Sequence, residues 1–143
     1  MTLIPVGKQA PGVILDAANL TAPVTTAGDT SWHDLMTGAG ANYGSQSVWV
    51  NIHLPGIVIG GAIAFRLVRG ATVVAQWSVD SGNSSQWDGP WTVWDYDTPG
   101  GAATYKVQYN DGNQAEQINC GPGGDPSDIT KTTAPGYMIV YAA

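Results

Sequence analysis

The sequence contains few of the residues on which several protein classes depend. Its one cysteine, Cys120, has no second cysteine in the chain with which to form a disulfide. Only five of the 143 residues are basic and eleven are acidic, which gives a net charge of −6. The five basic residues form no cluster, so the chain lacks the basic patch that binds nucleic-acid phosphates or anionic membranes. We therefore expect neither a nucleic acid nor a membrane as a partner.

Long apolar segments are also missing. No run of 18 apolar residues is present, and the first twelve residues, MTLIPVGKQAPG, lack the apolar core of a signal peptide. Glycine and proline, in contrast, number 19 and 9, about a fifth of the chain, where roughly 12% is average. This composition is typical of a fold with many turns, and the length predicts one domain.

Residues 1–29 are predicted to form an extended N-terminal arm. Pro5, Pro11 and Pro23 interrupt any long helix in this segment. An irregular arm of this length on a small domain is usually disordered or bound to a neighbour, and its apolar content favours binding. The residues that we expect to attach it are Leu3, Ile4, Val13, Ile14, Leu15 and Leu20.

From residue 30 to residue 143 the pattern is that of short β-strands. Residues 62–79 form two apolar runs around a glycine corner, which predicts a hairpin, and residues 45–54 alternate between apolar and polar positions. The segment 110–113, Asn-Asp-Gly-Asn, predicts a second hairpin with a return strand over 114–120. In total, about eight strands predict an all-β fold, an antiparallel jelly-roll sandwich.

The order of these segments resembles the jelly-roll (C1q/TNF-like) surface module of tailed-bacteriophage virions, as found in capsid decoration and fibre-head proteins. The match covers residues 30–143 and departs from the usual pattern at Gly70-Ala71-Thr72, where Asp-Gly-Thr is common. The resemblance implies a homotrimer on the virion surface, made in the host cytoplasm, with no shared catalytic residue. The matching positions are Thr30, Trp32, Asp34, Leu35, Phe65–Arg69, Asp97, Pro99, Gly100, Thr104, Tyr105, Val107 and Met138–Val140.

The residues that could perform chemistry form no recognisable site. His33 and His53 lack the spacing of zinc ligands, so we predict no metal and no cofactor. Asp95 and Asp97 share one side of a predicted strand, where they could bind Ca²⁺ or act as a carboxylate pair, but no third polar partner is evident. The sequence also lacks a Gly-x-Ser-x-Gly motif and a phosphate loop, so we predict no enzyme.

The aromatic cluster between residues 87 and 96 is the strongest candidate for a binding surface. Because neighbouring strand positions face opposite sides, Trp91 and Trp94 are not expected to point inward together. Aromatic rings with a polar tip are frequent at interfaces and can also stack on sugar rings. Contact with another subunit, packing in the core and contact with a glycan are the three alternatives for Trp87, Trp91, Trp94 and Tyr96.

These observations give one main hypothesis and one alternative. The main hypothesis is a capsid decoration protein that forms a homotrimer and attaches through residues 1–29 to the major capsid protein or another virion protein. The alternative is a tail-fibre or adhesin tip that binds host-surface glycan through the aromatic cluster. A polysaccharide-degrading enzyme would require Asp95 or Asp97 as a catalytic residue, which the sequence does not favour.

Overall fold

The computed structural model describes residues 12–59, 61–80, 86–114, 116–118 and 136–143, with residues 58, 59 and 86–88 described by their backbone alone. All regular structure in these ranges is β, and no helix there is long and apolar enough to cross a membrane. The long strands are β1 (Ile14–Leu20), β3 (His33–Thr37), β5 (Val48–Leu54), β7 (Ala62–Arg69), β8 (Thr72–Asp80), β10 (Trp91–Asp97), β12 (Tyr105–Asn110) and β14 (Gly136–Ala142). The short strands are β2 (Val24–Thr25), β4 (Ala41–Asn42), β6 (Ile57–Ile59), β9 (Gln86–Asp88), β11 (Ala102–Ala103) and β13 (Gln117–Ile118).

The long strands form two four-stranded antiparallel sheets. Sheet A has the order β1-β14-β5-β10, and sheet C has the order β3-β12-β7-β8. Only β7 and β8 follow one another along the chain within a sheet, so the other connections cross between the sheets. The predicted all-β antiparallel sandwich is confirmed.

The two sheets enclose one hydrophobic core, because alternate residues of each strand point inward. The inward residues of β5 include Val48 and Val50, both fully buried, and those of sheet C include Phe65, Leu67 and Val107, also fully buried. Residues of both sheets belong to the same buried cluster. This packing explains why the strands with the clearest β-branched and aromatic patterns form the centre of each sheet.

At each side of the sandwich, a carboxylate links the two sheets by hydrogen bonds. On one side, Asp16 of β1 accepts hydrogen bonds from the backbone N–H groups of Ala39 and Gly40, just after β3, at 3.1 and 3.0 Å. On the other side, Arg69 of β7 donates from Nε to Oδ2 of Asp97 on β10 at 2.6 Å. Both links join the two sheets, and in each case the carboxylate comes from an edge strand of sheet A, β1 or β10.

The predicted N-terminal arm is corrected by the structure over the residues it describes. Residues Ile14–Leu20 pair with β14 as an edge strand of sheet A, so the globular fold includes residues before residue 30. The backbone N–H of Gly12 also donates to the carbonyl of Ala142. The physical reason is that apolar side chains of this segment are buried within the sandwich: Leu15 and Leu20 pack against its core.

The predicted hairpin at residues 110–113 is also corrected. The chain does turn there, since the N–H of Gln114 donates to the carbonyl of Asp111. The segment that follows, however, contains the short strand β13, which pairs with β2 and β6 instead of returning along β12. The backbone N–H of Gly28 donates a hydrogen bond to the carboxylate of Asp111, and this contact holds the turn against the segment after β2.

Candidate functional site

The outer face of sheet A is the surface most suited to a partner. Because Val48, Val50, Ile52 and Leu54 of β5 point into the core, the residues between them point outward. The strand registers place outward residues of β1, β10 and β14 beside them. We call this set the aromatic face: Ile14, Ala17, Asn19, Trp49, Asn51, His53, Thr92, Trp94, Tyr96, Tyr137, Ile139 and Tyr141. Trp49 and Asn51 are themselves buried, at 5% and 4% exposure, so the other members form the accessible part of this face.

Three ring pairs cover most of the aromatic face. His53 stacks on Tyr137 with ring centroids 5.1 Å apart, and Trp94 stacks on Tyr141 at 5.8 Å. Trp49 meets Tyr96 edge-on at 5.2 Å. Such pairs contribute about 0.5–1.5 kcal/mol each beyond the area they bury. They hold a set of rings in a fixed arrangement on a sheet surface.

The aromatic face also carries no acidic or basic residue other than His53, although the chain has a net charge of −6. The outer face of sheet C is the opposite case. There Lys106 and Gln108 both donate to the carboxylate of Asp34, at 2.6 and 2.7 Å, and Arg66 lies over the ring of Trp32 at 4.2 Å. Sheet C therefore presents a charged outer surface, and sheet A presents an uncharged aromatic one. The composition of sheet A's outer surface is that of an interface core.

The predicted aromatic cluster is divided by the structure. Trp94 and Tyr96 lie on the aromatic face, whereas Trp91 points inward and packs against the core. The Nε1 of Trp91 is buried and reaches no acceptor within the described part of the chain. The backbone of Trp87 pairs with Val58, and its side chain lies outside the described set. Subunit or glycan contact through Trp94 and Tyr96 stays a prediction, and Trp91 is partly buried against the core.

The predicted attachment residues of the arm are also divided. Val13 and Ile14 are exposed, at 72% and 56% of their surfaces, directly beside the aromatic face. Leu15 and Leu20 pack against the core, so they are not available to a partner as predicted. Leu3 and Ile4 lie outside the described residues.

The carboxylate of Asp97 is held by hydrogen bonds to two neighbouring side chains. Its Oδ2 accepts hydrogen bonds from Arg69 Nε and from the hydroxyl of Tyr105, each at 2.6 Å. Burial acts to raise the pKa of Asp97, but the hydrogen bonds from Arg69, Tyr105 and the backbone of Thr98 outweigh it and hold the pKa below its ordinary value. A carboxylate held ionised by an arginine is poorly placed to act as a general acid, so this geometry supplies a link between the sheets.

The histidines do not converge. His33 Nε2 lies 2.9 Å from Asp29 Oδ1 and its ring stacks on Tyr109, while His53 contacts the hydroxyl of Thr92 on the aromatic face. In the ranges that the structure covers, no three His, Cys, Asp or Glu side chains form a group that could hold a metal ion. The two histidines therefore act in separate local contacts.

A cavity of about 650 Å³ lies at the end of the sandwich near the turn after β7. Its walls are mainly alanine and glycine, with Thr104 and Arg69, and the guanidinium of Arg69 is already engaged by Asp97. Its lining includes no carboxylate, histidine or cysteine that could act on the hydroxyl of Thr104 or serve as a general acid.

Sequence reasoning did not identify Tyr137 and Tyr141 as members of the aromatic face. The alternation in residues 45–54 did place Trp49, Asn51 and His53 on one side of a strand. Strand β14 lies beside β5 in the sheet, however, and sequence order gives no sign of that pairing. No protein-family model matches the chain, and a search of the curated proteins found no match.

Proposed function

We propose that this protein is a non-enzymatic structural protein of the bacteriophage virion surface, which assembles as a homotrimer and decorates the capsid. The observation that carries the proposal is the aromatic face. Identical copies of a chain with a net charge of −6 repel one another in most orientations. Contact through the aromatic face brings no like charges of that face close to the neighbouring copy. In a threefold assembly, the face of one subunit packs on a different surface of the next subunit.

The strand order supports the jelly-roll part of the proposal. Numbered along the chain, the long strands have the order 1-8-3-6 in sheet A and 2-7-4-5 in sheet C. Two interlocked Greek keys produce this arrangement, and it is shared by jelly rolls of viral capsid proteins and lectins. The phage assignment itself comes from the sequence resemblance.

Attachment to the capsid belongs, in this proposal, to the chain before β1. Val13 and Ile14 are exposed at the start of the edge strand, and Leu3 and Ile4 precede them in the sequence. Three arms on one trimer would bind the major capsid protein, or another virion protein, together. Weak single contacts then become durable through multivalency.

The test is the solution mass of the full chain by light scattering. We expect a mass three times the 14.9 kDa of one chain. Trp94→Ala should shift the population to monomer, because it removes a large ring of the aromatic face together with its stacking on Tyr141. Trp32→Ala is the matched control, since it removes the same ring from the outer side of sheet C. A wild-type monomer at all concentrations, with a native near-UV spectrum, would refute self-assembly.

Glycan binding is the second candidate, and the stacked pair of Trp94 and Tyr141 favours it. The polar groups of His53 and Thr92 lie on the same face as these rings, and aromatic faces beside hydrogen-bonding groups suit saccharides. A monomeric wild type that binds a host-surface glycan, with binding lost in Trp94→Ala and kept in Trp32→Ala, would establish this function in place of the trimer.

A further inference from the structure

Two acidic residues, Asp111 and Glu116, are buried where residues 26–28 run beside them. Asp111 exposes 2% of its surface and Glu116 exposes 4%. The N–H of Gly28 donates to Oδ2 of Asp111 at 2.6 Å. The backbone N–H of Glu116 donates to Oγ1 of Thr26 at 2.7 Å, and the N–H of Thr26 donates to the backbone carbonyl of Glu116 at 2.9 Å. The short segment 26–28 therefore contacts both acidic residues, through the side chain of Asp111 and the backbone of Glu116.

The second carboxylate oxygen of Asp111 is in an unusual environment for a charged group. Its Oδ1 is buried and receives no hydrogen bond from any described residue. Removing an ionised carboxylate from water costs several kcal/mol unless a hydrogen bond, a counter-charge or a metal replaces the lost hydration. One hydrogen bond, to the other oxygen, satisfies only part of this requirement.

The described basic side chains do not supply the missing charge. Arg69 binds Asp97, Lys106 binds Asp34, and Arg66 donates to Gln108. His33 is engaged with Asp29. His53 contacts Thr92 on the outer face of sheet A. Among the residues the structure describes, no arginine, lysine or histidine side chain bonds to Asp111 or forms an ion pair with it.

We propose that Asp111 is a ligand of a bound Ca²⁺ ion, with Glu116 as the second carboxylate of the site. The donors here are oxygen atoms, which hard divalent cations prefer, and no thiol or imidazole is part of the set. Ca²⁺ suits this position better than Mg²⁺ because it accepts irregular arrangements of carboxylates, backbone carbonyls and water, whereas Mg²⁺ requires near-ideal octahedral geometry. The ion would connect the turn after β12 to the segment after β2.

The experiment is thermal unfolding of the EDTA-treated full chain, with CaCl₂, with MgCl₂ and without metal. When free Ca²⁺ exceeds its Kd about a hundredfold, the midpoint should rise by roughly 10 °C, and Mg²⁺ should have a smaller effect. Asp111→Asn keeps the shape of the side chain and should abolish the Ca²⁺-dependent rise. Asp34→Asn, which removes an exposed carboxylate from sheet C, is the control and should keep it.

Direct binding keeps the proposal testable if Asp111→Asn does not fold. Isothermal titration of Ca²⁺ into the EDTA-treated wild type should show a saturable site, weakened at least tenfold in Glu116→Gln. A wild type with no saturable Ca²⁺ binding and no shift of its midpoint would overturn the proposal. The same Ca²⁺-dependent rise in Asp111→Asn as in the wild type would also overturn it, because the ion would then bind elsewhere.

Discussion

Asp95 and Asp97 lie on the same face of β10, two positions apart, yet their surroundings move their pKa values in opposite directions. Burial raises the pKa of Asp95, whose Oδ2 is buried without a hydrogen-bond donor among the described residues. For Asp97, burial is outweighed by the hydrogen bonds from Arg69 and Tyr105, and its pKa is lowered. On the inward side of one strand, Asp97 thus stabilises the fold when it is ionised, whereas ionised Asp95 destabilises the fold.

Replacing Asp97 should weaken the link between the sheets. Asp97→Asn leaves Arg69 without its counter-charge, and we expect a loss of about 1–3 kcal/mol of unfolding free energy at pH 7. Because the folded pKa lies below the ordinary 3.8, the contribution of Asp97 is present above pH 3.8 and is lost as the pH falls through the folded pKa. Denaturant unfolding of both proteins from pH 7 to pH 2.5 measures this difference, which should shrink in acid. A constant difference over this range would contradict the ionic role.

Replacing Asp95 should have the opposite effect. Its folded pKa lies above 3.8, so its contribution favours folding at low pH and is lost as the pH rises through the folded pKa. Asp95→Asn removes a poorly solvated charge and should stabilise the protein at pH 7 by up to about 1 kcal/mol, with the gain disappearing below pH 3.8. The same denaturation series provides the measurement. Destabilisation at pH 7 would show that the Asp95 carboxylate has a partner that favours its ionised form.

Substitution of Gly38 should detach the edge strand β1. A Cβ at this position would collide with the carboxylate of Asp16, which binds the N–H groups of Ala39 and Gly40. Gly38→Ala should therefore cost roughly 1–3 kcal/mol and raise hydrogen exchange in residues 14–20. The double variant Gly38→Ala with Asp16→Ala should lose less than the sum of the two single losses, because the colliding atoms are gone. If the loss in the double variant equalled the sum of the two single losses, the cost of Gly38→Ala would not come from a collision with Asp16.

Local pattern was sufficient for several elements of the fold. The run from residue 62 to residue 79 predicts the hairpin of β7 and β8, and Gly70 at its corner has a φ of 58°, which glycine adopts readily. The terminal segment 136–141 predicts β14, which the structure extends by one residue. Alternation also predicts that Trp91 and Trp94 face opposite sides, and they do. In each case the signal lies within a few neighbouring residues.

Pairings between distant segments could not be predicted in the same way. Ile14–Leu20 has an apolar content that suits either a free arm or an edge strand, and only β14, more than 110 residues later, decides between them. The Asn-Asp-Gly-Asn turn suits a hairpin, but the bond between Gly28 and Asp111 draws the chain away from β12. The aromatic face likewise arises from four strands that the sequence separates, so its individual rings appear unrelated along the chain.

The position of β14 has a consequence for synthesis of the protein. This strand lies between β1 and β5, so sheet A joins the earliest described strand to the rest only through residues 136–142. A nascent chain that has not yet released this segment from the ribosome would leave the edges of β1 and β5 unpaired. Such a high contact order predicts slow folding, with exposed strand edges on β1 and β5 until β14 inserts between them.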